Sequence, residues 1–185
     1  MNIKRIIPII LIMILILTGC GKSDSDKVKD NSQVTQENHG RVEEETVETL
    51  VAKFNTEVVD NSSLNPASTD YLTESNNEYW YGLIEGIYLV AVPKKYTGDK
   101  AADIVNYTLL YVNKTGKYES DAASYVKHLI KANNNQITDS EIDTLLKEAK
   151  TKPNSGEAAN NGKGISVGYT ENEEKYQYQV LRLYK

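Results

Sequence analysis

The chain holds one cysteine, two histidines, one phenylalanine and one tryptophan in 185 residues. A single cysteine excludes an internal disulfide framework and any multi-cysteine metal centre. The histidines, His39 and His128, are far apart, and neither has a second His or Cys at ligand spacing, so a zinc site lacks its ligands. Positive charge is also short: 21 Lys and Arg stand against 26 Asp and Glu, a formal net charge of −5. A nucleic-acid binder needs a basic surface to neutralise phosphates, and this balance excludes one. The one long hydrophobic run, Ile6 to Leu17, falls below the roughly 20 residues that a bilayer-spanning helix needs. What remains is ordinary in apolar and charged content but rich in tyrosine, with 13. That composition excludes collagen-like, coiled-coil and wholly disordered chains. The length allows one domain with a tail.

Lys4 and Arg5 precede the apolar run, and Leu17-Thr18-Gly19-Cys20 follows it. A positive start, an apolar core of this length and small residues before a cleavage point are the parts of a secretory leader. The quartet resembles the lipobox of bacterial lipoprotein precursors, with the chain's one cysteine at the lipidated position. The resemblance covers the first 20 residues. It implies cleavage before Cys20, a diacylglyceryl thioether on its sulfur, and a mature protein anchored at the extracytoplasmic face of the cell membrane. Two acyl chains hold stably where one does not, since each buried methylene contributes about 0.8 kcal/mol. The leader carries two bases and no acid, so its loss takes the formal charge from −5 to −7, and attachment then rests on the acyl chains.

Three segments follow from this: a signal peptide over 1–19, the lipidated Cys20 with a polar tether to residue 45, and one globular domain over 46–185. Residues 21–45 mix charges with Ser, Asn, Gln and Gly around three valines, too little apolar surface to offset the entropy of ordering. As a flexible coil they reach roughly 25–30 Å. Glu43 to Glu45 suit the first turn of a following helix, where acids complement the dipole.

The domain reads as α-β-β-α-α-β-β, an α+β fold with an antiparallel sheet of about four strands and helices on one face. Val47, Leu50, Val51, Phe54 and Val58 make one helical stripe. Glu78 to Val92 reads as one long strand, apolar on both faces or bent at Gly82 and Gly86. Ile104 to Asn113 reads as a second, with Val105, Tyr107, Leu109 and Tyr111 on one face. Ala122, Tyr125, Val126, Leu129 and Ile130 mark a helix that Ser120 can cap, broken at Asn133 to Gln136. Thr138 to Glu141 has the spacing of a capping box, opening a helix with Ile142, Leu145, Leu146 and Ala149 inward. Residues 153–163 read as a loop. Ile165, Val167 and Tyr169, then Tyr176, Tyr178 and Val180, mark a closing hairpin.

Strings with catalytic spelling fail on context. Gly164-Ile165-Ser166-Val167-Gly168 fits a nucleophile elbow, but that motif needs a strand-to-helix turn and a later histidine. Here both histidines come earlier and the string lies in a strand. Ser124 and Lys127, with Lys114-Thr115-Gly116, fit two β-lactamase motifs in reversed order. Asp139, Glu141 and Asp143 have calcium-loop spacing without the glycine and terminal glutamate of that loop; a helix N-terminus accounts for them. No catalytic residue, metal site or cofactor is expected.

The tyrosines all lie between Tyr71 and Tyr184. Tyrosine is apolar in body and polar at the tip, which suits contact surfaces as well as sheets. Tyr79-Trp80-Tyr81 is the expected binding surface. The expected function is a membrane-anchored interaction module with a cell-surface protein or glycan as partner. The alternatives are a small envelope hydrolase working through carboxylates such as Glu78 or Glu85, and a solute-capturing protein, which this length leaves without a second lobe.

Overall fold

The structure is a computed structural model and describes residues 44–183. The leader, Cys20, His39 and Tyr184 lie outside the described residues. No helix among those described is long and apolar enough to cross a membrane.

Helix α1 runs Val47–Asn61. Thr46 caps it, its side chain accepting from the Thr49 amide. Glu44 and Glu45 therefore precede the helix instead of opening its first turn. Strands β1 (Thr73–Ser75), β2 (Glu78–Ile84), β3 (Ile87–Pro93) and β4 (Val105–Asn113) follow. A 3-10 turn over Glu119–Asp121 leads into α2 (Ala122–Asn133). Helix α3 covers Asp139–Thr151, and β5 (Ala159–Asn160), β6 (Ile165–Glu171) and β7 (Lys175–Arg182) close the chain. All seven strands form one antiparallel sheet in the order β1-β2-β3-β4-β7-β6-β5. The α+β class holds, with three more strands than the four expected.

The extra strands have local causes. The stretch Glu78–Val92 is a hairpin, turned at Glu85-Gly86, with Ile84 paired to Ile87. Gly86 sits at φ +82, a conformation that glycine adopts without the Cβ clash. Asn76 and Asn77, both at positive φ, make the two-residue turn that folds β1 onto β2. The β5 bridge lies within what reads as the 153–163 loop.

The helices cover one sheet face. Buried stripes from all three pack against Tyr79, Tyr81, Leu89, Leu110, Val112, Ile165, Val167, Tyr178 and Val180 in a continuous core. The helix stripes read from the sequence are all buried. Thr138 and Glu141 form the expected reciprocal capping box. Ser120 does not cap α2: it lies in the 3-10 turn, and Asp121 precedes the helix without a side-chain cap. In β4 the inward residues are Thr108, Leu110 and Val112. Tyr107, Leu109 and Tyr111 face the other way. Val105 joins the core because the register shifts at Val92/Pro93.

The folded part begins before Thr46. Glu45 is only 4% exposed, with Arg182 Nη1 at 2.7 Å and Lys53 Nζ at 2.6 Å. Its carbonyl accepts from the Val105 amide at 2.8 Å. Glu45 thus belongs to the domain and not to a tether ending at residue 45.

Candidate functional site

Side chains alternate across a pleated strand, so three consecutive residues cannot share one face. Tyr79 and Tyr81 are both 0% exposed, within the core. Trp80, between them, stands on the face without helices. The expected Tyr79-Trp80-Tyr81 surface is corrected to Trp80 alone, and other strands supply its companions.

Register brings them together. Trp80 pairs with Val90, and Val90 with Leu109; one row along, Gly82, Tyr88, Tyr111 and Gln177 stand in line across β2, β3, β4 and β7. Trp80, Tyr88 and Tyr111 form a triangle with centroids 6.1, 5.4 and 6.2 Å apart and planes 61° to 65° to one another. Edge-to-face contact is the favourable geometry for aromatic rings. The rings are half-buried and cover Val90 and Leu109 beneath them. Trp80 Nε1 donates to Glu78 Oε2 at 3.1 Å, which fixes the indole. Lys175 Nζ lies 5.0 Å from the Tyr111 centroid, a cation–π distance. Beside Trp80 a cleft of about 310 Å³ opens, bounded by Tyr107 and Tyr111 on one side, by Gln177, Gln179 and Gly168 on the other, and by the loop at Gly156–Ala158. Its size is at the low end of small-molecule sites, about 300–1,000 Å³.

A larger groove, about 1,030 Å³, runs between α1, the end of α2 and the Gly162–Gly164 loop. It carries Lys53, Lys131, Lys163 and Arg182. Four carboxylates stand near these four cations: Lys53 and Arg182 share Glu45, Lys131 pairs with Asp139 at 2.7 Å and Lys163 with Glu141 at 2.5 Å, and Glu57 is in the lining itself. The groove is therefore neutral and polar, without surplus charge for an anion.

Catalytic chemistry finds no assembly among the described residues. Glu78 is held by Trp80, and Glu85 sits in the β2–β3 turn, so the two do not converge. Ser166 lies within β6, which pairs with β7 and leads to no helix. Lys127 pairs with Asp143 at 2.6 Å and Lys114 with Glu171 at 3.1 Å. His128 Nδ1 lies 3.3 Å from Glu57 Oε1 at the α1–α2 contact. Asp139, Glu141 and Asp143 each face a different lysine, and no cluster of three or more metal-ligating side chains occurs among the described residues. Ion pairing with lysine pulls Asp139, Glu157 and Glu171 below their ordinary carboxylate values. Every displaced carboxylate among the described residues moves down, the direction opposite to that of a general acid.

The buried acid Asp103 has a structural task. It is 1% exposed. Its carboxylate accepts from the Tyr79 hydroxyl at 2.5 Å, from the Thr97 hydroxyl at 2.5 Å and from the Thr97 amide at 3.0 Å. Burial by itself would raise its pKa, but these donors outweigh burial and hold it below the ordinary value.

Comparison with family models, with curated proteins and with solved structures finds no match to this chain.

Proposed function

We propose that the protein is a lipid-anchored binding module at the extracytoplasmic face of the cell membrane, and that it binds through the open face of its sheet. The anchoring part rests on the leader and on the lipobox-like quartet ending at Cys20. The binding part rests on one observation: the sheet face without helices carries the Trp80, Tyr88 and Tyr111 cluster beside a cleft. Aromatic side chains supply large contact area at little conformational entropy, which is why they concentrate in binding surfaces. A face is the better binding element than an edge, because the outermost strands β1 and β5 are only three and two residues long, and short edge strands offer little backbone for pairing. Ser68 and Leu72 amides close on the carbonyls of Gly82 and Trp80 at one side, and Asn154 caps β6 at the other. Anchoring adds effective concentration toward membrane-side partners without any new contact.

Two measurements test the two parts. Radiolabelled palmitate is expected on the full chain and not on the Cys20→Ser variant; label on neither refutes the anchor. The full chain, recovered from its own membranes after cross-linking, is expected to retain a partner that the Trp80→Ala variant loses. Equal recovery by both chains refutes the open face as the binding surface.

A further inference from the structure

We propose that the cleft beside Trp80 takes a neutral saccharide chain. This names the occupant of the binding face and rests on the reading of that face as the binding surface.

The cleft has two chemically distinct walls. Trp80, Tyr107 and Tyr111 give it aromatic faces, and Gln177 and Gln179 give it amides that donate and accept at once. A pyranose ring has the same division: an apolar face of C–H bonds and a rim of hydroxyls, each both donor and acceptor. Aromatic rings take the first, side-chain amides the second. An apolar peptide would match only one wall and leave the amides unpaired, which is unfavourable on desolvation.

Charge excludes an acidic chain. Glu78, Glu157 and Lys175 are the ionised residues in the lining. Glu157 is paired with Lys152 at 2.5 Å, and Lys175 stands over Tyr111. Two carboxylates stand against one ammonium in the lining, so no surplus of positive charge draws a polyanion, and Glu78 repels one.

Gly168 makes the floor. Its neighbours across the sheet on this face are Gln179 and Leu109. A Cβ at Gly168 would rise into the cleft and touch Gln179 at 3.5 to 3.6 Å, ordinary contact with no clash and no backbone strain. The missing side chain is therefore not demanded by the fold, and its effect is to leave room above the strand.

The test uses the single tryptophan as reporter. The full chain, in a detergent without sugar headgroups, is titrated with cellotetraose, with an N-acetylglucosamine tetramer and with a sulfated heparin tetrasaccharide while tryptophan emission is followed. A saturable shift is expected with at least one of the neutral probes and none with the sulfated one. Gly168→Ala and Gln179→Ala are each expected to weaken binding about tenfold, and Lys53→Ala, in the remote groove, to leave it unchanged. A shift with the sulfated probe alone overturns the inference, as does one indifferent to both Gly168→Ala and Gln179→Ala. If neither neutral probe shifts the emission, the saccharide assignment falls. Whether membranes still yield a partner that depends on Trp80 then decides, separately, if the binding-face reading falls with it.

Discussion

Tyr79 and Tyr81 point the same way from one strand, both wholly buried, and their hydroxyls meet opposite fates. Tyr79 donates to Asp103; burial first, then that hydrogen bond, pushes its own pKa up. The Tyr81 hydroxyl has no hydrogen-bond partner among the described residues. Removing a bond to a charged acceptor is costly, whereas removing a buried group that makes no bond is not. Tyr79→Phe is therefore expected to destabilise by about 2 kcal/mol, and Tyr81→Phe to be neutral or stabilising by about 1 kcal/mol. Urea unfolding of the two variants checks the pair, and equal losses would contradict the assignment. The same alternation explains why the aromatic cluster on the open face was legible only in part. Trp80 stood out as the sole tryptophan, but its companions Tyr88 and Tyr111 come from other strands, and cross-strand register is a long-range property that local spacing does not carry.

At the scale of elements, the helices were legible in full and the antiparallel sheet only in part. A helix writes its buried stripe within four residues, and the capping box at Thr138 and Glu141 is local chemistry. The β2–β3 hairpin was hidden because odd-numbered residues face the core on both sides of its turn: Tyr79 and Tyr81, then Ile87 and Leu89. A register shift between Gly82 and Ile84 accompanies this, so the period of two runs through the turn unbroken. Asn76-Asn77 and Glu85-Gly86 were the available signals. Strands β1 and β5, three and two residues long, are too short to show any period. Asn154 substitutes for a longer β5: its amide donates to the Glu171 carbonyl and its Oδ1 accepts from the Glu171 amide, both at 2.9 Å. Asn154→Gly keeps the positive φ of that residue and removes both bonds. It is expected to destabilise by about 1–2 kcal/mol and to promote self-association, since an uncovered strand edge is a template for pairing. Light scattering after size exclusion reads the second effect; a monomer at every concentration would show that Asn154 does not guard the edge. Arg182→Gln leaves Glu45 with Lys53 alone. The expected loss is about 2 kcal/mol, below the 3–5 kcal/mol typical of a buried pair broken outright.

For the molecule as a whole, acid is the sensitive direction. Lys163, then Thr138, lowers Glu141 to about 2, and Asp103 is lowered by its three donors. A carboxylate with a depressed folded pKa contributes stability that is complete above its unfolded value and is lost as the pH falls toward the folded one. Stability should therefore decline below about pH 4. Exposed pairs such as Glu141–Lys163 are screened by salt and buried groups much less. At high salt the remaining acid limb should belong largely to Asp103. Asp103→Asn should flatten it in unfolding curves taken between pH 5 and pH 2.5 (roughly the carboxylate range), and an unchanged limb would place the sensitivity elsewhere. The attachment of Glu45 has a mechanical consequence. Its carbonyl is bonded to Val105 at the start of β4, its carboxylate to Arg182 at the end of β7, and those two strands are neighbours in the middle of the sheet. A pull applied through the residues that precede Glu44 is delivered to interior strands and to α1, not to a free margin. Its first effect is to strain two ion pairs and a backbone hydrogen bond together, so the load is shared before any strand can be unzipped.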